Sequence, residues 1–202
     1  MDLKDTRIGM FGGAFDPPHV GHVALARAAV EQLGLDQLRV FPTGQAWHKA
    51  RDLSPAADRL AMARLAFADV PRTFVDEREL HRSGPTYTVD TLRELRREFP
   101  QAVLLLVIGA DQAEALHSWR EGPEIARLAT ISIAARARPV DAALLFDPSN
   151  LPPGRREPVE LPSIPVSSTE IRRRVAAGEV ISTLVPAPVA SYIDQHHLYP
   201  AH

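Results

Sequence analysis

The sequence predicts an α/β fold: a doubly wound parallel sheet followed by C-terminal helices. Short apolar runs alternate with helix-like segments along most of the chain. One of them, Val103 to Ile108, is apolar throughout, as befits a central parallel strand covered on both faces. Turn-forming Gly and Pro fall at the joints between segments. Such alternation is built with right-handed crossovers.

Each element has a local reason. Arg7 to Phe11 reads as the first strand, and Val20 to Leu33 as a helix closed by Gly34. Leu38 to Phe41 is a second strand, stopped by Pro42. Pro55 to Asp69 is helical, with Pro55 in the first turn after Ser54. Thr73 to Val75 is a short third strand, and Thr88 to Phe99 a helix halted by Pro100. After the Val103 to Ile108 strand, Glu124 to Leu128 lies in a helix and Thr130 to Ala134 is the fifth strand. Prolines crowd 139–165, which predicts loops with one short strand near Val159 to Leu161. Thr169 to Ala177 and Pro188 to His197 are the closing helices. The 202 residues are expected to form one domain, its helical C-terminal part spanning about 166–202.

Composition removes several function classes. There is no cysteine, so disulfides, thiolate metal sites and cysteine nucleophiles are out. A net charge of −2 speaks against a nucleic-acid partner. The N-terminal stretch lacks the apolar core of a signal peptide, and no apolar run nears spanning length. A cytoplasmic protein without a membrane partner is expected, with self-association left open. No Gly-x-Gly-x-x-Gly follows the first strand and no Gly-x-x-x-x-Gly-Lys-Ser/Thr occurs, which argues against a dehydrogenase or a P-loop ATPase.

Chemistry concentrates between Gly12 and His22: Gly-Gly-Ala-Phe-Asp-Pro-Pro-His-Val-Gly-His. The glycines let backbone approach a ligand, and the helix start offers free N–H groups and a positive dipole end to phosphate. His19 and His22, three apart, share one face of the first turn. Asp16 and Pro17 read as turn formers. This string resembles the Gly-x-Phe-Asp-Pro-x-His-x-Gly-His signature of the nucleotidyltransferase superfamily, matching at Gly13, Phe15, Asp16, Pro17, His19, Gly21 and His22. The resemblance implies a Rossmann-like fold and an ATP site including Gly12, Gly13, Phe15, His19 and His22.

A second string, Val166-Ser167-Ser168-Thr169-Glu170-Ile171-Arg172, has capping-box spacing from Ser167 to Glu170. By itself it fits an exposed capped helix as well as an anion site. It is similar to the superfamily's Ile-Ser-Ser-Thr-x-Ile-Arg, departing only at Val166. That likeness implies that Ser167, Ser168, Thr169 and Arg172 hold the β- and γ-phosphates of ATP.

The middle of the chain narrows the family. Ser83-Gly84-Pro85-Thr86-Tyr87-Thr88-Val89-Asp90-Thr91-Leu92 resembles the corresponding segment of bacterial nicotinate-nucleotide adenylyltransferases, with Thr86 where Ser is common. Gly109-Ala110-Asp111 followed by Leu116 and Trp119 is similar to their Gly-x-Asp…Leu-x-x-Trp, and the ending Leu184-Val185-Pro186…Tyr192-Ile193…His196-His197-Leu198-Tyr199 is also similar. Ala46-Trp47-His48-Lys49 stands where many relatives have Pro-Pro-His-Lys; His48 and Lys49 are kept, and Trp47 reads as packing, a substrate-covering aromatic being the other reading.

Gly109 and Asp111 fall just past the carboxyl end of the predicted central strand, where open α/β sheets bind ligands. The Asp111 carboxylate can accept both hydroxyls of a ribose. Trp119 offers a flat surface to a pyridine ring, core packing being the other reading. Thr86 and Tyr87 offer donors to a nicotinate carboxylate. Arg138 is similar to a family arginine near the pyridine nucleotide, a plain surface role being its alternative.

The resemblance implies transfer of AMP from ATP to nicotinate mononucleotide, giving deamido-NAD and pyrophosphate. His19, His22 and Arg172 are the expected catalytic residues, Lys49 serves both substrates, and Mg²⁺ arrives on ATP rather than in a metal site of the chain. The rivals are another transferase of the superfamily, such as a pantetheine-phosphate adenylyltransferase, a hydrolase with a metal on His19, His22 and His48, and a non-catalytic nucleotide sensor.

Overall fold

The apolar residues of β1 (Arg7–Gly13) and β4 (Val103–Ile108) point alternately to two cores, and the rest of the molecule is arranged around that pair. The structure, a computed structural model, describes residues 6–44, 53–136 and 153–201. Between these strands lie α1 (Val20–Gln32), β2 (Gln37–Pro42), α2 (Ala56–Phe67), β3 (Thr73–Val75) and α3 (Thr88–Glu98). After β4 come α4 (Ala110–Ala115), α5 (Gly122–Leu128), β5 (Thr130–Arg136), β6 (Val159–Leu161), α6 (Ser168–Ala176) and α7 (Ala187–Gln195).

The sheet has the order β3-β2-β1-β4-β5-β6, and every pairing is parallel. This is the doubly wound, Rossmann-like α/β fold that the alternation predicts. From β1 the chain steps outward to β2 and β3, then returns to place β4 on the other side of β1. The reversal opens a crevice at the carboxyl ends of β1 and β4.

On one face Ile8, Met10, Leu104, Leu106 and Ile108 pack against Val89, Leu92 and Leu95 of α3 and Ile125 of α5. On the other, Phe11, Leu105 and Val107 meet α1, α2, Ile171 of α6 and Val189 and Ile193 of α7. Each fully buried large aliphatic side chain contributes about 1.5–3 kcal/mol. Both faces of the central strands are therefore anchored, which fixes where their ends stand.

Helix α1 ends in a Schellman turn: Leu35 N–H donates to Val30 O at 3.1 Å and Gly34 N–H to Glu31 O at 3.3 Å. Gly34 sits at φ +56°, the left-handed region that this motif requires. At its other end the Val20 N–H donates to Leu184 O at 3.0 Å, so the C-terminal segment closes over the start of the helix. Among the described residues no helix is long and apolar enough to cross a membrane.

Three local expectations need correction. Pro42 does not stop β2 but is its last residue, opposite Gly13, because a strand end needs no N–H from it. Pro55 is the residue before α2 rather than part of its first turn. The short helix α4 has no counterpart among the predicted elements; six residues give too little periodicity to be seen.

Candidate active site

The carboxyl end of β1 forms one wall of two adjoining clefts. Gly12, Gly13, Ala14 and Gln112 line both. A Cβ built on Gly12 would meet nothing within 4 Å, so the missing side chain leaves open space where the clefts join.

The first cleft continues along Phe15, His19, Gly21, His22, Gly109 and the Ser163–Ser168 stretch. His19 is the N-cap of α1 and Ser167 the N-cap of α6, so the starts of two helices face the same space. Their N–H groups and dipoles favour an anion there. The His19 and His22 rings stack with centroids 3.7 Å apart. The His19 backbone N–H donates to His22 Nδ1 at 3.2 Å, which assigns Nδ1 the acceptor role and the ring proton to Nε2. Burial pushes His19 down to about 4, so its ring is neutral at pH 7. Its Nδ1 is buried without a partner among the described residues. A buried orphan polar atom at a helix start is what a bound anion would satisfy.

Phe15, predicted to contact ATP, is only 1% exposed, and its ring meets those of Phe11, His22 and Phe67 edge-on at 5.2–5.5 Å. It acts as the floor beneath His22. Asp16, also 1% exposed, accepts from Ser54 N–H at 3.2 Å and from the Tyr199 hydroxyl at 2.7 Å.

Helix α6 is docked onto the histidine turn. Ser168 Oγ donates to Pro17 O at 2.9 Å, and Arg172 Nη1 donates to Asp16 O at 2.7 Å. Arg172 also donates to Thr169 Oγ1 at 3.1 Å. Ser167 and Ser168 line the cleft; Thr169 and Arg172 stand outside its lining. Ser167 caps α6 by accepting from Glu170 N–H at 3.2 Å. The reciprocal half of the expected capping box is absent, because the Glu170 carboxylate is taken by Arg173 and Arg174.

The second cleft is lined by Thr43, Glu79, Thr86, Tyr87, Trp119 and Arg120, over a floor of Met10, Leu106 and Ile108. The predicted trio Thr86, Tyr87 and Trp119 is thus together in one place. Thr86 Oγ1 is buried and has no partner among the described residues. Glu79 is 3% exposed, and burial pushes it up to about 7 although the Thr91 hydroxyl donates to it at 2.6 Å. The Arg120 guanidinium lies over the Tyr87 ring, 4.6 Å from its centroid.

Glu79, Gln112 and Arg120 carry no motif and escaped the sequence reading; a charged residue in a charged run reads as surface. Lys49 and Arg138 lie outside the described residues, as does the Asp111 side chain; Gly109 lines the first cleft at the end of β4. The three-histidine metal reading depends on His48, also outside them. Within the described residues His22 Nδ1 is already engaged, and the two rings stack instead of converging on a point.

Two clefts meeting at one open glycine wall can hold two ligands end to end, one of them an anion at the helix starts. Residues 10–174 match the cytidylyltransferase-like family model. A "probable nicotinate-nucleotide adenylyltransferase" of Albidiferax ferrireducens is 54% identical over 96% of this chain and 98% of that protein. One of the same description from Thermus thermophilus is 42% identical, covering 96% and 99%. Among solved structures, Plasmodium falciparum nicotinic acid mononucleotide adenylyltransferase complexed with NaAD superposes with a TM-score of 0.80, covering 96% of this chain and 97% of that one. At 20% identity that likeness speaks for the fold alone. With near-complete coverage by relatives of this identity, the chain belongs to the cytidylyltransferase-like family, in the group named nicotinate-nucleotide adenylyltransferase.

Proposed function

We propose that the chain transfers AMP from ATP to nicotinate mononucleotide, releasing pyrophosphate and giving deamido-NAD, in the cytoplasm. The observation that carries this reading is the wall shared by the two clefts at Gly12, Gly13 and Ala14. It lets the phosphate of one nucleotide face the α-phosphate of another.

The triphosphate is assigned to the cleft of His19, His22, Gly109, Ser167 and Ser168, and the pyridine nucleotide to that of Thr86, Tyr87 and Trp119. Arg172 ties α6 to the histidine turn and is steadied by Thr169, and both keep the phosphate roles that the family resemblance implies. Asp111, Lys49 and Arg138 keep the roles that the family resemblance implies. A phosphate monoester with a second pKa of about 6 is mostly dianionic at pH 7, so the attacking oxygen needs no general base. That oxygen bonds to the α-phosphorus as the bond from α-phosphorus to the bridging oxygen breaks, and pyrophosphate departs with the electron pair. Catalysis then rests on alignment and on neutralising charge. In this reading His22 meets the phosphates from the wall of the cleft, and His19 can donate through the nitrogen that has no partner among the described residues. Mg²⁺ enters with the triphosphate and supplies further charge neutralisation.

ATP labelled at the α-phosphorus tests the reading directly. Incubated with nicotinate mononucleotide, the label is expected in the dinucleotide. Label appearing as free AMP, independent of the acceptor, would show a hydrolase instead.

A further inference from the structure

We infer that Arg120 is a specificity-determining residue of the acceptor cleft, selecting a pyridine ring that bears a carboxylate over one that bears an amide. The inference rests on the proposed adenylyl transfer and concerns the acceptor half of that site.

Among the described residues lining the second cleft, two side chains carry charge-bearing groups: Glu79 and Arg120. They are placed very differently. Glu79 is buried and its carboxyl is engaged by the Thr91 hydroxyl, which in turn accepts from Arg82 at 2.8 Å. Arg120 keeps 57% of its side chain exposed, at the rim. Two contacts orient it: the Tyr87 ring beneath the guanidinium at 4.6 Å and the Glu121 carboxylate 3.6 Å from Nε. A guanidinium lying on an aromatic face keeps its edge donors directed outward, where they can meet a carboxylate.

Position along the cleft decides which anion it meets. The acceptor carries two anionic groups, a phosphate and, in the nicotinate form, a ring carboxylate. The reacting phosphate must lie where the clefts join, at Gly12 to Ala14. Arg120, Tyr87 and Trp119 line the acceptor cleft alone, whereas Gly12 to Ala14 line both. The ring end therefore comes to Trp119 and Arg120. There a carboxylate gains a charge-assisted partner that an amide does not.

The test compares kcat/KM for nicotinate and nicotinamide mononucleotides in wild type, Arg120→Gln and Arg120→Lys, with saturating Mg-ATP. In Arg120→Gln the nicotinate-to-nicotinamide ratio is expected to fall about three- to tenfold, the scale of one rim charge in contact with solvent. Arg120→Lys should retain most of the preference, and the KM for ATP should stay unchanged in both, which also shows the variants to be folded. Equal losses with both acceptors would place Arg120 at the phosphate and overturn the inference. An unchanged ratio would overturn it too. Wild-type enzyme that turns over neither pyridine nucleotide would instead refute the underlying transfer reaction, and the inference with it.

Discussion

Tyr199 and Asp16, 183 positions apart, share a 2.7 Å hydrogen bond that ties the end of the chain to the turn leading into His19. Asp16 is 1% exposed, and its carboxylate takes donors from Tyr199 and Ser54, while its carbonyl takes Arg172. One buried acid thereby joins four segments. Charge-assisted bonds to a desolvated carboxylate are costly to lose. Tyr199→Phe is expected to lose about 1–3 kcal/mol. That lowers Tm by roughly 2–12 °C. Thermal unfolding measures it, and a Tm within a degree of wild type would remove this bond from the account.

His22 lines the first cleft, its ring held edge-on against Phe15. A donor aimed at charge that grows during transfer contributes more to the transition state than to the bound substrate. His22→Asn is expected to lower kcat about 10²–10³-fold, with much smaller changes in either KM. Steady-state kinetics would contradict this if KM rose as much as kcat fell.

Glu79 lines the acceptor cleft with a carboxyl that burial raises to about 7. A raised carboxyl binds its proton more tightly folded than unfolded, so its stabilising effect is full below about pH 4.5 and fades as pH climbs through about 7. Glu79→Gln keeps an acceptor for Thr91 and removes the titration. Wild type should therefore lose more stability than Glu79→Gln between pH 5 and pH 8. Urea midpoints at the two pH values give the comparison, and parallel declines would count against a buried titrating acid here.

Two glycines at the clefts differ in how much room they leave. A Cβ on Gly44 would sit 2.3 Å from the Glu79 carbonyl oxygen, so backbone must move. Gly44→Ala should cost about 1–3 kcal/mol, visible in chemical denaturation. A Cβ on Gly12 meets nothing within 4 Å but enters the space where the clefts join. Gly12→Ala should keep the wild-type Tm and lose at least about tenfold in kcat/KM, because small misplacements of reacting groups are expensive. A stable, fully active Gly12→Ala enzyme would mean that the join is not where the reacting phosphates meet.

What could be read from the sequence follows from how each feature is encoded. Most of the strands are short local runs of apolar and β-branched residues, some ending at Pro or Gly as at Pro42, Gly109 and Pro162, and legible as such. The two helix starts at His19 and Ser167 carry chemistry in contiguous residues, and the fold brings them to one cleft. Thr86, Tyr87 and Trp119 could be grouped only through family resemblance; the structure places them on one wall. Tyr199 touching Asp16 is different in kind, since nothing local in either segment encodes a contact between chain ends. Arg120 likewise stands in an ordinary charged stretch, and only the Tyr87 ring beneath it marks it out. The half-formed capping box at Ser167 shows competition: Glu170 has closer partners in Arg173 and Arg174 than the backbone amide it was expected to reach.

The most direct test of adenylyl transfer at this two-cleft site is pyrophosphate release with Mg-ATP, offered nicotinate mononucleotide, nicotinamide mononucleotide or phosphopantetheine at equal concentration. Release should be fastest with nicotinate mononucleotide, weaker with the nicotinamide form and at background with phosphopantetheine. Release with phosphopantetheine alone would keep the histidine cleft and contradict the acceptor cleft built from Thr86, Tyr87, Trp119 and Arg120.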